Sequence, residues 1–177
     1  MHVSEKVKQT IRDVRDYPKP GIVFKDITPV LADPSLFRAV VREMVSALES
    51  QNIDAIAAVE ARGFIFGSVL AHELNCSFIP VRKAGKLPYR IRSQKYDLEY
   101  GTAAIEMHED AVIKGSRVLV HDDLLATGGT AGAAASLIQD LGGIVAGFSF
   151  LINLSFLPGE KNLIERFGLK PQYMVSY

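Results

Sequence analysis

The stretch VLVHDDLLATGGTAGAA, residues 118–134, joins an apolar run to two aspartates, a glycine-rich turn and a segment of small residues. The apolar run predicts a buried strand, and the small residues predict the start of a helix. Backbone N–H groups of such a turn, next to a helix N-terminus, favour an anion. Because Asp122 and Asp123 would repel a phosphate by itself, the stretch indicates a ligand with both a phosphate and hydroxyl groups, such as a ribose 5-phosphate.

Each half of this stretch also has an ordinary explanation. The aspartates fit the polar end of many strands, and Thr-Gly-Gly-Thr fits a plain turn into a helix. Their combination favours a site, because ligands of parallel sheets bind beyond the carboxyl ends of the strands. The glycine patterns G-x-G-x-x-G and G-x-x-x-x-G-K-[ST] of other nucleotide-binding proteins are missing from the sequence.

The composition excludes several functional classes. The chain has 177 residues, and its 20 basic residues balance 20 acidic ones, so we expect no nucleic-acid partner and no anionic membrane partner. No apolar run approaches the ~20 residues of a membrane span. Cys76 is the single cysteine, which excludes an internal disulfide and favours a reducing compartment. We therefore expect a cytoplasmic enzyme or binding protein.

Apolar strands alternate with helices in two strand–helix–strand units, residues 54–82 and 117–153. Continuous apolar strands joined by helices are typical of a mainly parallel sheet covered on both faces. The sequence therefore predicts an α/β fold in which helices flank such a sheet. The length favours a single domain over residues 1–177.

The segments outside these units are less regular. A first helix is predicted to about Tyr17, where two prolines and a glycine follow, and another begins after Asp33, an N-cap residue before Pro34. The polar residues 84–98 are predicted as a long loop, and residues 98–107 fit an antiparallel hairpin. Loops of that length in a compact domain are usually lids or disordered.

The segment VLVHDDLLATGGT closely resembles the phosphoribosyl-pyrophosphate (PRPP) signature of the type I phosphoribosyltransferases, and DDLLATGGT resembles their adenine phosphoribosyltransferase branch. Four further blocks resemble the family in the family's order, so the resemblance covers nearly the whole chain. These blocks are YPKPGIVFKDITPVL (17–31), VEARGFIFG (59–67), VRKAGKLP (81–88) and YDLEYGT (96–102).

The resemblance implies Mg²⁺-dependent transfer of phosphoribose from PRPP to adenine, giving AMP and pyrophosphate in purine salvage. It also implies a homodimer, a small N-terminal hood that binds the base (about residues 1–33) and a flexible lid loop (about residues 84–100). The same resemblance assigns the phosphate to the loop after the aspartates. That loop consists of Ala126, Thr127, Gly128, Gly129 and Thr130.

The two aspartates are expected to bind the ribose hydroxyls, with Mg²⁺ nearby, because Mg²⁺ prefers oxygen ligands. Arg62 in VEARGFIFG is implied to act on the pyrophosphate, which suits the planar fork of an arginine. In the family this loop binds pyrophosphate through backbone amides, with a cis peptide that would fall near Glu60–Ala61. Without the family context, the ordinary interpretation is that Arg62 caps a surface turn.

Three basic residues of VRKAGKLP, namely Arg82, Lys83 and Lys86, resemble the family segment that reaches PRPP, partly from a neighbouring subunit. A solvated surface is the ordinary alternative for such a charge run. Glu99 in YDLEYGT resembles the glutamate that meets the N7 side of adenine, where a carboxyl group assists proton transfer. Its alternative is an exposed strand residue.

The base-binding residues implied by the family are Val23 through its backbone, Phe24 by stacking, Lys25, and Leu124 after the aspartates. Lys25 stands where many relatives have an arginine, and lysine lacks the planar fork. Ala126 stands where relatives that act on 6-oxopurines typically have an aspartate for the base N7. This alanine therefore argues against hypoxanthine and guanine as the base. The ordinary alternative is that Ala126 is simply a small turn residue.

Two other functions use the same fold. A PRPP-sensing regulator would need a DNA-binding module or a basic face, for which this chain has neither spare length nor excess charge. A xanthine phosphoribosyltransferase is the second alternative, and enzymes of that group tend to lack the Thr-Gly-Gly-Thr motif. No metal-ligand spacing links His121 to the other histidines, so we interpret it as structural.

Overall fold

The computed structural model describes residues 2–97 and 101–177, and these fall into two units, residues 1–47 and 48–177. The first unit includes residues 1–33, the segment for which a hood is predicted. Among the described residues, no helix is long and apolar enough to cross a membrane.

The first unit pairs two short strands between helices. Its helices and strands are α1 (Val3–Thr10), β1 (Arg12–Arg15), β2 (Val23–Asp26), α2 (Thr28–Ala32) and α3 (Pro34–Leu48). The start of α3 is confirmed, because the Asp33 carboxylate accepts the backbone N–H groups of Ser35 and Leu36 at 2.9 and 3.0 Å.

The prediction of a first helix to about Tyr17 is wrong. The helix α1 ends at Thr10, and the next residues form β1, which pairs antiparallel with β2. An ion pair of 2.7 Å between Asp13 and Lys25 joins the two strands. The amphipathic pattern missed this pairing because the partner strand lies beyond the Tyr-Pro-Lys-Pro-Gly turn.

The second unit contains the sheet that positions the site. Its strands are β3 (Ala55–Val59), β4 (Ser77–Lys83), β5 (Ile91–Asp97), β6 (Thr102–His108), β7 (Arg117–Leu125), β8 (Ile144–Asn153) and β9 (Gln172–Ser176). Its helices are α4 (Gly63–Glu73), α5 (Gly129–Asp140) and α6 (Gly159–Phe167).

Within the described ranges, the seven strands form one sheet in the order β5-β6-β4-β3-β7-β8-β9. The five strands from β4 to β9 in this order are parallel, whereas β5 and β6 add an antiparallel pair at one edge. The predicted α/β fold with a mainly parallel sheet is therefore confirmed. Because β4, β3 and β7 are parallel neighbours, the loops after Lys83, Val59 and Leu125 leave the same edge of the sheet.

The core of this unit explains why the central strands are apolar throughout. All five residues of β3 are buried, and the alanines of α5 pack in the same apolar cluster. Ala133, Ala134 and Ala135 are at most 1% exposed. Small side chains on α5 allow the helix to approach the sheet closely, which places its first turn at the carboxyl end of β7.

The predicted continuous loop from residue 84 to residue 100 is wrong over residues 91–97. These residues form β5 and pair with β6 from Ile91↔His108 to Asp97↔Thr102. The polar side chains of β5 hid the strand, because an edge strand needs no apolar run on its solvent face. The end of β5 lies beside α5, since a Cβ placed on Gly129 would come within 3.3 Å of the Tyr96 ring.

Candidate active site

A polar cavity lies where β7 meets α5. The strand runs through both aspartates to Leu125, four residues beyond the predicted end, and α5 begins at Gly129. The cavity encloses about 70 Å³. Its lining consists of Asp122, Leu124, Leu125, Ala126, Thr127, Gly128, Gly129, Thr130, Ala131 and Phe150. We call residues 126–130 the anion cradle.

The donors of the anion cradle come from the backbone at the start of α5. The first hydrogen bond of the helix runs from Gly132 N to Gly128 O at 2.8 Å, so the N–H groups before Gly132 have no partner within the helix. Thr127 and Thr130, which carry hydroxyl donors, line the same cavity. Together with the positive end of the helix dipole, this arrangement suits a phosphate.

The helix α6 holds the cradle from behind. Asn162 Nδ2 donates to the Thr127 carbonyl at 2.9 Å, and a Cβ on Gly128 would lie 3.1 Å from the Gly159 carbonyl. Gly128 has φ of +81°, so glycine satisfies both the turn and the close approach. No sequence pattern indicated Asn162 or Gly159, because their partners lie over 30 positions away in the chain.

The two aspartates lie on β7 beside the start of α4. Asp122 lines the cavity, and its Oδ1 accepts the Asp123 N–H at 2.8 Å. Asp123 is only 4% exposed, and its Oδ2 lies 2.9 Å from Nε of Arg62 in an ion pair. A Cβ on Gly63 would lie 2.9 Å from Asp122 Oδ1, so a larger residue there would displace this carboxylate. The structure therefore brings Arg62 and both aspartates together.

Burial raises the pKa of both carboxyl groups. For Asp122 the negative charge of Asp123 raises the pKa further, to well above its ordinary value. For Asp123 the Arg62 guanidinium opposes the effect of burial. Two adjacent carboxylates in such surroundings are stabilised by hydroxyl donors or by a cation.

The carboxylates suit a Mg²⁺ ion that is shared with a substrate. In the part of the chain that the structure describes, no group of three or more histidine, cysteine or acidic residues could hold a metal ion. Mg²⁺ usually binds through one or two carboxylates together with waters and substrate phosphates. The pair Asp122 and Asp123, one of them facing the cavity, matches that pattern.

The loop between β3 and α4 contains the second predicted feature of the site. The Glu60–Ala61 peptide bond is cis, where the family resemblance placed one. Glu60 N donates to Val81 O at 2.9 Å, which ties this loop to β4. Arg62 occupies the N-cap position of α4.

The three predicted basic residues lie at and just after the end of β4, with Arg82 and Lys83 inside the strand and Lys86 beyond it. We call residues Lys83–Lys86 the lysine turn, in which both lysines are exposed. Arg82 Nε donates to Glu60 Oε2 at 2.6 Å, and Arg82 Nη1 donates to the Lys86 carbonyl at 3.2 Å. Arg82 therefore links the loop that carries Arg62 to the lysine turn.

The predicted base-binding residues of the first unit lie on β2. Val23 is 46% exposed, and the Phe24 ring packs edge-on against Tyr17 with centroids 5.2 Å apart. Lys25 is buried, and its ammonium donates to Asp13 at 2.7 Å. The Lys25 amine is therefore held by the Asp13 carboxylate.

Two further predicted residues have different outcomes. Glu99 lies outside the described residues, between Asp97 at the end of β5 and Thr102 at the start of β6. His121 is fully buried, and burial lowers its pKa to about 4. Its Nδ1 lies 3.4 Å from Ser149 Oγ. A neutral, buried imidazole agrees with the structural interpretation of His121.

Comparison with known proteins gives a consistent family. Residues 27–153 match the phosphoribosyl transferase domain. The adenine phosphoribosyltransferase of Myxococcus xanthus is 56% identical over 153 residues, which cover 86% of this chain and 83% of the relative.

Solved structures agree with this match. The adenine phosphoribosyltransferase of Thermoanaerobacter pseudethanolicus superposes with a TM-score of 0.94 at 49% identity, covering 98% of this chain and 99% of that one. The Saccharomyces cerevisiae enzyme gives 0.89 at 33% identity, covering 97% and 98% of the two chains. Its crystals contained adenine and D-2,5-dideoxy-2,5-imino-altritol 1,6-bisphosphate. The chain belongs to the phosphoribosyltransferase family and, within it, to the adenine phosphoribosyltransferases.

Proposed function

We propose that the protein transfers 5-phosphoribose from PRPP to adenine, releasing pyrophosphate and forming AMP in purine salvage. The observation that carries this proposal is the direct junction of two carboxylates with an anion cradle at the end of β7. A ribose 5-phosphate is the ligand whose hydroxyls and phosphate match both parts at once.

The 5-phosphate is proposed to lie in the anion cradle, on the backbone N–H groups and the hydroxyls of Thr127 and Thr130. The ribose hydroxyls are proposed to donate to Asp122 and Asp123. This arrangement is supported by the raised pKa values of the two carboxyl groups, because hydroxyl donors stabilise their ionised forms. The cradle and carboxylates would hold the sugar at both ends while the bond at C1 breaks.

Pyrophosphate is proposed to leave toward Arg62 and the lysine turn. As the bond from C1 to the pyrophosphate oxygen breaks, negative charge grows on the leaving group and positive charge grows on the ribose. The Arg62 guanidinium and the ammonium groups of Lys83 and Lys86 would stabilise the first of these charges. The remaining N–H donors of Arg82 would serve the same anion.

Asp122 and Asp123 are the residues that would hold Mg²⁺, together with oxygens of PRPP. When bound, the ion would supply positive charge that partly neutralises the leaving pyrophosphate. The proposed contact with the ribose is supported by Asp122, which lines the cavity.

Adenine is proposed to bind through the backbone at Val23, with stacking on Phe24. Adenine as the base is supported by the yeast relative, which was crystallised with adenine. Lys25 is proposed to support this segment through its ion pair with Asp13. Ala126 leaves the base N7 without the aspartate that relatives acting on 6-oxopurines use.

Glu99 is proposed to exchange a proton with adenine at N7 as N9 attacks C1. Residues 84–100 are proposed to close over the reactants and exclude water, which would otherwise capture the ribosyl cation. The resemblance of YDLEYGT to the family segment that carries this glutamate supports the role.

We also propose a homodimer in the cytoplasm. Phe64 and Phe78 support a partner surface, because their rings pack 5.7 Å apart and Phe78 remains 36% exposed on a central strand. The free thiol of Cys76 supports a reducing compartment. Light scattering coupled to size-exclusion chromatography measures the oligomer directly.

A turnover assay tests the function. PRPP, Mg²⁺ and one of adenine, hypoxanthine, guanine or xanthine are supplied, and released pyrophosphate is measured. We expect turnover with adenine and little with the other bases. Preference for xanthine would replace the proposed substrate, and PRPP binding without turnover on any base would indicate a sensor.

A further inference from the structure

Four hydrogen bonds beyond the β4–β6 ladder involve the lysine turn or the adjacent Arg82. Ala84 N donates to the Ala104 carbonyl at 3.2 Å, and Gly85 N donates to Glu106 Oε2 at 3.0 Å. Arg82 contributes the other two, from Nη1 to the Lys86 carbonyl and from Nε to Glu60 Oε2. Two of these four bonds end on carboxylates, although the turn itself carries the two lysines.

Glu106 is the more deeply buried of the two carboxylates. It is 9% exposed and lies on β6, directly opposite Arg82 of β4 in the sheet register. Acidic side chains are almost never buried without a partner, because an ionised carboxylate loses its hydration. The partner that the structure shows is the backbone N–H of Gly85 in the middle of the lysine turn.

Glu60 joins the turn to the loop that carries Arg62. The Glu60 side chain is 11% exposed, and its carboxylate accepts Arg82 Nε at the short distance of 2.6 Å. Glu60 also forms the first half of the cis peptide bond before Arg62. One carboxylate therefore connects the Arg62 loop, through the Arg82 guanidinium, with the carbonyl of Lys86.

We propose that Glu60 and Glu106 are positioning residues for pyrophosphate binding. They hold the lysine turn, so that the backbone that carries Lys83 and Lys86 is already ordered before the anion binds. This inference rests on the proposed function. A polyanion that binds to exposed lysines must order their long side chains, which costs conformational entropy. A turn that is already held reduces that cost, because fewer backbone states remain to be ordered.

If the two carboxylates did not position the turn, their removal would have the opposite effect on PRPP binding. Two negative charges at the pyrophosphate end of the site repel a polyanion. If the charges did nothing else, removing either one would strengthen PRPP binding. If they hold the turn, removing either one weakens PRPP binding, and an uncharged acceptor of the same shape restores it.

The experiment compares Glu106→Leu, Glu106→Gln, Glu60→Leu and Glu60→Gln with the wild type. Steady-state kinetics give KM for PRPP and for adenine, and thermal-shift titration gives the dissociation constant of PRPP without turnover. We expect either leucine variant to raise both PRPP constants at least roughly fivefold, because a donor loses its acceptor. We expect the glutamine variants to stay within about twofold of the wild type, and KM for adenine to change little.

Asp54→Leu is the matched control. The Asp54 carboxylate accepts the backbone N–H of Arg117 at 2.7 Å, before β3 and therefore at the opposite edge of the sheet. It has the same kind of bond without a link to the lysine turn, so we expect its PRPP constants to stay unchanged even where its Tm falls.

Unchanged or tighter PRPP binding in folded leucine variants would overturn the inference, as would equal changes in the constants for PRPP and adenine. If Glu106→Leu does not fold, the Glu60 pair decides by the same criteria. Failure of the wild type to turn over adenine would contradict the proposed function instead, so the two failures remain distinguishable.

Discussion

The two ends of the site that are proposed to bind anions are built in different ways. The anion cradle uses consecutive backbone groups, residues 126–130, between one strand and one helix. The pyrophosphate end uses side chains from three elements, and Arg82, Glu60 and Glu106 join those elements through hydrogen bonds. A cradle of backbone donors is set by local conformation, whereas the other end depends on charges whose positions other side chains maintain.

This contrast predicts different sensitivities. Substitutions at the cradle should impair PRPP binding by changing the shape of the backbone. Substitutions at the pyrophosphate end should impair binding or turnover by removing or displacing charge. The two aspartates of β7 lie between the ends, where both the ribose and the cation are expected. They should therefore show the largest effect on turnover.

The double variant Asp122→Asn/Asp123→Asn should lose turnover by at least about 10³-fold, because removal of even one electrostatic group from a transition state commonly costs 10²–10³-fold. Circular dichroism should show an unchanged fold, since asparagine has nearly the same shape. The pyrophosphate-release assay measures the effect. Asp140→Asn, at an exposed position at the end of α5, is the control, and full activity of the double variant would remove both carboxylates from the mechanism.

Arg62→Ala should reduce turnover by roughly 10²-fold, in line with about 3 kcal/mol for a group that stabilises leaving-group charge. Arg62→Lys should recover only part of the loss, because lysine keeps the charge but not the planar fork. Rates at saturating PRPP separate this effect from binding. Arg42→Ala, exposed on α3, serves as the control, and unchanged affinity and rate for Arg62→Ala would place charge stabilisation elsewhere.

Gly128→Ala tests the backbone end, and we expect KM for PRPP to rise about tenfold, as for a loss of ~1.4 kcal/mol. The new Cβ would lie 3.1 Å from the Gly159 carbonyl and would push the cradle away from α6. Gly115→Ala is a matched control, because Gly115 has the same φ of +81° and nothing within 4 Å of its added Cβ. Both variants carry the strain of a positive φ, so an equal effect of the two on PRPP would argue against a shape requirement in the cradle.

Asp122→Asn should raise the Tm of the ligand-free protein at pH 7 by a few degrees, where each kcal/mol corresponds to roughly 2–4 °C. Burial raises the pKa of Asp122 above its ordinary value of 3.8, so the folded protein binds this proton more tightly than the unfolded chain does. That contribution stabilises the fold below pH 3.8 and is lost as the pH rises through the raised pKa.

Asp122 therefore destabilises the fold at neutral pH, and asparagine removes this cost. Thermal melts between pH 4 and pH 7 should show the advantage of Asp122→Asn shrinking toward the acid end. A lower Tm for Asp122→Asn at pH 7 would contradict the assignment of a strained, functional carboxylate.

Most of the fold could be predicted from local sequence patterns. Alternation of apolar strands with helices predicted the parallel sheet, and Asp33 before Pro34 predicted the start of α3. The errors came from β1 and β5, whose residues carry no apolar signal of their own. Each becomes a strand because a partner strand supplies its hydrogen bonds, and pairing of that kind is not visible in a single segment.

The sequence by itself determined the anion cradle and the aspartates before it, because strand, turn and helix N-terminus are consecutive and their donors belong to the backbone. Only the tertiary structure decided how the pyrophosphate end is held. Glu60 reaches Arg82 across 22 positions, and Glu106 reaches Gly85 across 21 positions. A carboxylate shows no preference in sequence for the N–H group it will accept, so such partners are set only when the neighbouring strands of the sheet bring them within hydrogen-bonding distance.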